Sequence, residues 1–214
     1  MQLRALAPLF VALALLAPRA QAQTTLEVYL TAKIEKLATP PSCAPKATHK
    51  AACSDVNLVA GAGVDLSKVE GQTVDLVAKP VVATCVVLEV TKVSSATYWH
   101  RITAQTGNFK LGDTVRFESR LPLISVSPWI ISAGKFFFPA GTYGTLLLDP
   151  LTLVYVNNYV PLFGVLRLDV KIPVDTNLIG VTIYSQGAWV GLDSQSNPTG
   201  QLLNVDCFQI KSNQ

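Results

Sequence analysis

The densest group of residues able to do chemistry is Tyr98-Trp99-His100-Arg101. Two aromatic rings, an imidazole and a guanidinium occupy four consecutive positions. On a strand, successive side chains point to opposite faces, so Tyr98 and His100 share one side and Trp99 and Arg101 the other. An aromatic ring beside an arginine can stack a sugar or base and pair its polar groups. That makes Tyr98, Trp99 and Arg101 the candidate ligand-binding residues, with Trp129 a candidate addition. The alternative is a strand that packs its aromatics at a domain junction and leaves the arginine in water.

Catalytic chemistry has less support. The chain holds two histidines, His49 and His100, and no G-x-S-x-G elbow. His100 could act as a base with Asp55, Asp75 or Asp113 as its orienter, but no spacing in the sequence brings them together. The fourteen acids are scattered over strand edges and turns, which is the ordinary solvated pattern. A glycosidase pair needs no local motif and so stays open. Phosphate-binding glycine loops are absent, and so is an N-x-[ST] sequon, because Pro198 follows Asn197. Oxygen ligands for calcium stand in two loops, at Asp175-Thr176-Asn177 and Asp193 to Asn197. Neither is an EF-hand, and Asp and Asn also suit turns for backbone reasons. The expectation is a non-enzymatic protein with no metal and no cofactor.

Composition places the chain in an exported class. Arg4, the apolar run Leu6 to Ala17 and Ala20-Gln21-Ala22 have the order of an export signal, with residues 1–22 removed before Gln23. The run is too short to span a bilayer, and no later segment has the unbroken apolar length of a span. Loss of Arg4 and Arg19 lowers the net charge from +3 to +1, with 15 basic against 14 acidic residues left. The nearly neutral charge and moderately basic pI give no case for nucleic acid or an anionic membrane. Half the residues are hydrophobic and 14% are charged, which suits a large core rather than disorder. All four cysteines, Cys43, Cys53, Cys85 and Cys207, follow the signal, and an even number in an exported chain points to disulfides. Three pairings are open. Zinc is the alternative, but no C-x-x-C occurs.

The elements that position these residues read as strands. Leu26, Val28, Leu30, Ala32 and Ile34 alternate with polar neighbours. Ala38 to Ala52 reads as a loop. Val56 to Ala60, Gln72 to Ala78 and Thr84 to Val93 read as strands, with one helical turn at Asp65 to Gly71. Leu121 to Ser127 and Trp129 to Ser132 read as strands separated by Pro128. Ile131, Phe136, Phe137 and Phe138 belong to a run too apolar to alternate, expected as a buried strand pair or a partner surface. From Gly164 to Val190 the sequence reads as a hairpin, with Leu166, Leu168, Val170 and Ile172 on a dry face and Pro173 to Asn177 as the turn. The last strand covers Leu202 to Ile210.

Two segments resemble known modules. Val64 to Gly71, Gln72 to Pro80 and Cys85 to Val90 resemble small OB-like barrel modules of exported bacterial proteins, whose pattern is LDLSxxxGQxVxVxGxP…CxVLxV. The resemblance implies a closed β-barrel and a Cys53–Cys85 disulfide. Residues 107–212 resemble a C-terminal β-sandwich module of exported bacterial proteins. The matching pieces are Gly107, Gly112 and Val115, then Gly144-Thr145-Leu146-Leu147-Leu148-Asp149-Pro150, Pro173 to Gln186, Asp193, Asn197-Pro198-Thr199-Gly200, Leu202 and Asn204. Phe117 and Ser119 depart from its leucines. The resemblance implies a sandwich with no established enzymatic activity. Cys207 is a further departure, read as stitching the module to something else, with Cys43 as the candidate partner.

The expectation is therefore an all-β protein: a signal peptide (1–22), an OB-like barrel (23–105) and an antiparallel β-sandwich (106–214). The expected function is non-enzymatic binding or a structural role in the cell envelope or exterior. Carbohydrate or another envelope protein is the candidate partner, and nucleic acid is not expected. Rival readings are an oligosaccharide- or nucleic-acid-binding barrel and a secreted hydrolase.

Overall fold

The computed structural model describes residues 27–104, 108–161 and 163–212. The signal expected at 1–22 and the boundary expected at 105/106 lie wholly or partly outside them.

Period-two sequence becomes a closed barrel. Its strands are β1 (Val28–Lys36), β2 (His49–Ala51), β3 (Asn57–Ala60), β4 (Thr73–Pro80) and β5 (Val87–Ser95), in the order β1-β2-β3-β5-β4. Only the β3–β5 pairing is parallel; the others are antiparallel. Val28, Leu30, Ala32 and Ile34 line the interior, as their alternation requires. Leu58, Val74, Leu76, Leu88 and Val90 complete it. Asp65 caps the 3-10 turn Leu66–Val69, its carboxylate accepting from Ser67 N at 3.1 Å. The stretch expected as a loop, Ala38 to Ala52, contains β2, too short to show a period of its own.

The remaining strands are β6 (Trp99–Ala104), β7 (Thr114–Arg120), β8 (Ser125–Ser132), β9 (Lys135–Pro139), β10 (Thr145–Leu148), β11 (Val154–Tyr159), β12 (Val165–Lys171), β13 (Thr182–Leu192) and β14 (Pro198–Gln209). They form a four-stranded sheet β11-β8-β13-β14, a three-stranded sheet β12-β7-β6 and the hairpin β9-β10. The four-stranded sheet is a shared middle layer. On one side Ile130 and Val205 join the barrel core. On the other, Trp129 and Phe208 meet Ile102, Val115, Phe117 and Ile172 in a second core. β6 pairs with β7 along its length and sends Ile102 into that second core.

Three local expectations need correction. Gly164 to Val190 is not a hairpin: β12 pairs with β7, whereas β13 pairs with β8 and β14. The turn crosses between sheets because Leu168 and Ile172 reach the second core from one layer and Ile183 reaches it from the other. Pro128 lies inside β8 rather than ending a strand. It sits where the β8–β13 ladder is interrupted, opposite the bulge between Gln186 and Ala188, so its missing N–H breaks no bond to β13. Nor is the phenylalanine run a wholly buried pair. Phe137 packs against the barrel core, while Phe136 and Phe138 face out.

Candidate functional site

The register of β6, β7 and β12 builds an outward sheet face from residues far apart in sequence. Its first row is Trp99, Arg120 and Val165; its second is Arg101, Glu118 and Arg167; its third is Thr103, Arg116 and Asp169. The opposite side of the same strands carries Ile102, Val115, Phe117 and Leu168 into the second core, so the core dictates which side chains this face receives.

Glu118 organises the face. Its side chain is 8% exposed, and it takes a charge-assisted bond on each oxygen: Arg101 Nη2 donates to Oε1 at 2.6 Å and Arg167 Nε to Oε2 at 2.7 Å. Burial pushes the Glu118 carboxyl up, but the bonds and charges of Arg167 and Arg101 outweigh it and hold the carboxyl below its usual range. The Arg101 guanidinium also lies 4.9 Å from the centre of the Trp99 ring. Each guanidinium spends few of its five N–H donors on Glu118, and both remain largely in solvent. Beside them Arg116 forks onto Asp169 with bonds of 2.8 and 2.9 Å. The result is a cationic, donor-rich surface whose central arginines are locked from beneath by a shared carboxylate.

Of the residues singled out from sequence, Trp99 and Arg101 meet here. Tyr98 does not join them. It precedes β6 and packs edge-on against Trp189 at 5.6 Å. Trp129 is buried in the second core, edge-on to Phe117 at 4.9 Å. Glu118 and Arg167 were missed, since each reads as one polar residue in an alternating strand until its neighbours are known.

His100 is sealed inside. Its Nδ1 pairs with Ser119 Oγ at 2.8 Å, its backbone N–H donates to Asn204 Oδ1 at 2.8 Å, and Nε2 has no partner among the described residues. None of Asp55, Asp75 or Asp113 bonds to the ring. Burial pushes the imidazole down to about 4, so it is neutral at ordinary pH. The loop aspartates expected as calcium candidates act within their own turns. Asp193 Oδ1 accepts from Gln195 N and Asn197 N, and Asp175 Oδ1 from Asn177 N.

Concavities among the described residues include two where the barrel meets the other strands. One, of about 370 Å³, lies beside β2 and β3 and is walled by Pro41, Lys50, Asn57, Cys85, Lys135 and Tyr184. Its lysines are committed to acids, Lys50 to Glu35 at 3.3 Å and Lys135 to Asp55. The other, of about 240 Å³, contains Thr31, Asp75 and Gln201. Desolvation raises the Asp75 carboxyl, against bonds from Thr31 at 2.6 Å and Gln201 at 3.4 Å.

The disulfides differ from the expected pairing. Cys43 bonds Cys85 and Cys53 bonds Cys207. Cys43 and Cys85 lie on the β1–β2 and β4–β5 loops, which close over the small cluster of Ala44, Ala47 and Val87. Cys53, in a left-handed backbone conformation (φ 55°), points out of the barrel to β14. Two such bonds belong to an oxidising compartment. Among the described residues no helix is long and apolar enough to cross a membrane. No protein-family model, curated protein or solved structure matches the chain.

Proposed function

We propose that the chain is an exported, non-enzymatic binding protein of the cell envelope or exterior that holds an acidic carbohydrate on the β6–β7–β12 face. The observation that carries this reading is the pair of guanidiniums, Arg101 and Arg167, held on the two oxygens of Glu118 beside Trp99. A carboxylate, sulfate or phosphate on a glycan takes the outward N–H donors in forked pairs. The flat guanidinium stacked on the indole gives a sugar ring a platform. Five cations (Arg101, Arg116, Arg120, Arg167 and Lys171) stand against two acids on the face, although the mature chain as a whole is nearly neutral. The surface is therefore selective for an anionic ligand.

Calorimetric titration with acidic and neutral oligosaccharides tests the reading. Binding is expected for acidic glycans alone, weakening as salt rises. Trp99→Ala and Arg101→Ala are each expected to weaken it by about tenfold. Equal affinity for neutral sugars, or no loss in either variant, overturns the proposal.

A further inference from the structure

At one end of the sandwich three segments meet, and each exposes large apolar side chains. The β7–β8 loop exposes Leu123 by 69% and Ile124 by 86%. The β11–β12 connection exposes Val160 and, by 96%, Phe163. The end of β13 adds Val190 and Leu192. Backbone contacts put them side by side. Leu121 N–H donates to the Gly164 carbonyl at 2.8 Å, Val190 pairs with Val126 and Tyr159 with Ser127. Gly191 lies so close to Ile124 that a Cβ there would stand 2.8 Å from the Ile124 carbonyl oxygen. Phe163 is also held in the left-handed region (φ 52°), unusual for a bulky residue, and that backbone leaves its ring in water.

The polar surroundings of these tips are ordered by depth. Directly behind them stands the first row of the outer face, with Trp99 and Arg120, and Tyr98 packs on Trp189 nearby. The second row holds Arg101 and Arg167 with Glu118 between them. Arg120 is exposed, and its guanidinium forms no ion pair among the described residues. The acid of this end, Asp193, is turned into its own loop. Apolar tips, then Trp and Tyr, then arginine is the sequence of environments met on entering a bilayer from water: acyl boundary, interface, phosphate. A protein partner would be met by a flatter surface; here the apolar groups project from loop ends with cations set back from them.

We infer that this end of the sandwich docks on an anionic lipid surface, with Leu123, Ile124 and Phe163 entering the headgroup–acyl boundary and Arg120 pairing with lipid phosphates. The inference shares Trp99 and Arg120 with the glycan reading but is carried by Leu123, Ile124 and Phe163, which that reading does not use.

Co-sedimentation of the disulfide-bonded mature chain with vesicles tests it, using phosphatidylcholine alone and phosphatidylcholine mixed with phosphatidylglycerol. Wild type is expected to pellet with the mixed vesicles, with a blue shift of tryptophan emission, and far less with phosphatidylcholine alone. The triple variant Leu123→Ser, Ile124→Ser, Phe163→Ser is expected to lose partitioning by about tenfold or more. Arg120→Ala is expected to lose about fivefold. The replaced side chains are in water, so near-ultraviolet dichroism should be unchanged and a loss cannot be assigned to unfolding. Failure of wild type to bind the mixed vesicles overturns the inference, as does equal binding by the triple variant. Light scattering that finds a wild-type dimer converted to monomer by the triple substitution, with no vesicle binding, would assign the patch to a second copy of the chain and overturn it too.

Discussion

His100 shows how one side chain can tie stability to pH. Its ring is enclosed by Phe117, Ser119 and the β13 backbone, and burial lowers its pKa from 6.5 to about 4. In the unfolded chain the imidazole takes up a proton near its ordinary pKa; in the folded chain it resists until much lower pH. The unfolded state therefore binds more protons between these values, and stability falls as pH is lowered from 6.5 towards 4. The loss is about 3 kcal/mol when complete. Asp75 and Asp206, whose carboxyls are raised mainly by desolvation, act in the opposite sense above the ordinary carboxylate pKa. The difference between wild type and His100→Asn isolates the histidine. Urea midpoints measured across this range should converge as pH falls, and a constant gap would refute the assignment. Local patterning placed His100 and Trp99 on opposite faces of one strand, and that is where they lie. It could not separate a buried histidine from a reactive one, because the enclosing groups come from β7, β13 and β14.

At the scale of elements, β13 depends on Gly187. The ladder slips between Gln186 and Ala188, and this bulge lets the strand approach β6 closely. A Cβ at Gly187 would stand 2.8 Å from His100 Cβ and 3.0 Å from Leu203 Cδ1, both inside the packed interior. Gly187→Ala is expected to cost about 2 kcal/mol through overpacking, seen as a lowered denaturation midpoint at unchanged slope. An unchanged midpoint would show that the sheets can separate freely at this point. The bulge also places Gln186, whose side chain donates to the Thr145 and Leu203 carbonyls at 2.8 Å and accepts from Leu147 N at 2.9 Å. That single buried amide ties the β9–β10 hairpin to the middle sheet. In sequence the same stretch, Ser185-Gln186-Gly187, shows only a break in apolar alternation.

Across the whole molecule, Cys53–Cys207 holds the barrel to the sandwich, while Cys43–Cys85 ties two loops within the barrel. Cys53–Cys207 joins positions 154 residues apart, and Cys43–Cys85 joins positions 42 apart. On the chain-entropy account, removing the first costs about 5 kcal/mol and the second about 4 kcal/mol. Because the two loops overlap in sequence, the costs should not add. Cys53→Ser with Cys207→Ser should therefore lower the midpoint more than Cys43→Ser with Cys85→Ser. Equal losses would indicate that local packing, not chain constraint, dominates. Non-reducing peptide mapping should recover the same two linkages.

What the sequence determined by itself was much of what depends on near neighbours, although Pro128 inside β8 and the short β2 escaped it. The alternation of Val28, Leu30, Ala32 and Ile34 specifies a strand with one dry face, and Asp65 marks the turn it caps. An all-β chain follows from such signals, whereas a small barrel ahead of a larger β body was implied by the resemblance to known modules. Tertiary structure decided which strands share a sheet. The arms flanking Pro173 part into opposite layers, and Cys53 reaches past Cys85 to β14. Arg101, Glu118 and Arg167 become one cluster only when β6, β7 and β12 align. The physical reason is range: a side-chain period is set within a few residues of backbone. Sheet membership and register are set by which distant apolar faces bury each other best, and that competition is visible only in the folded chain.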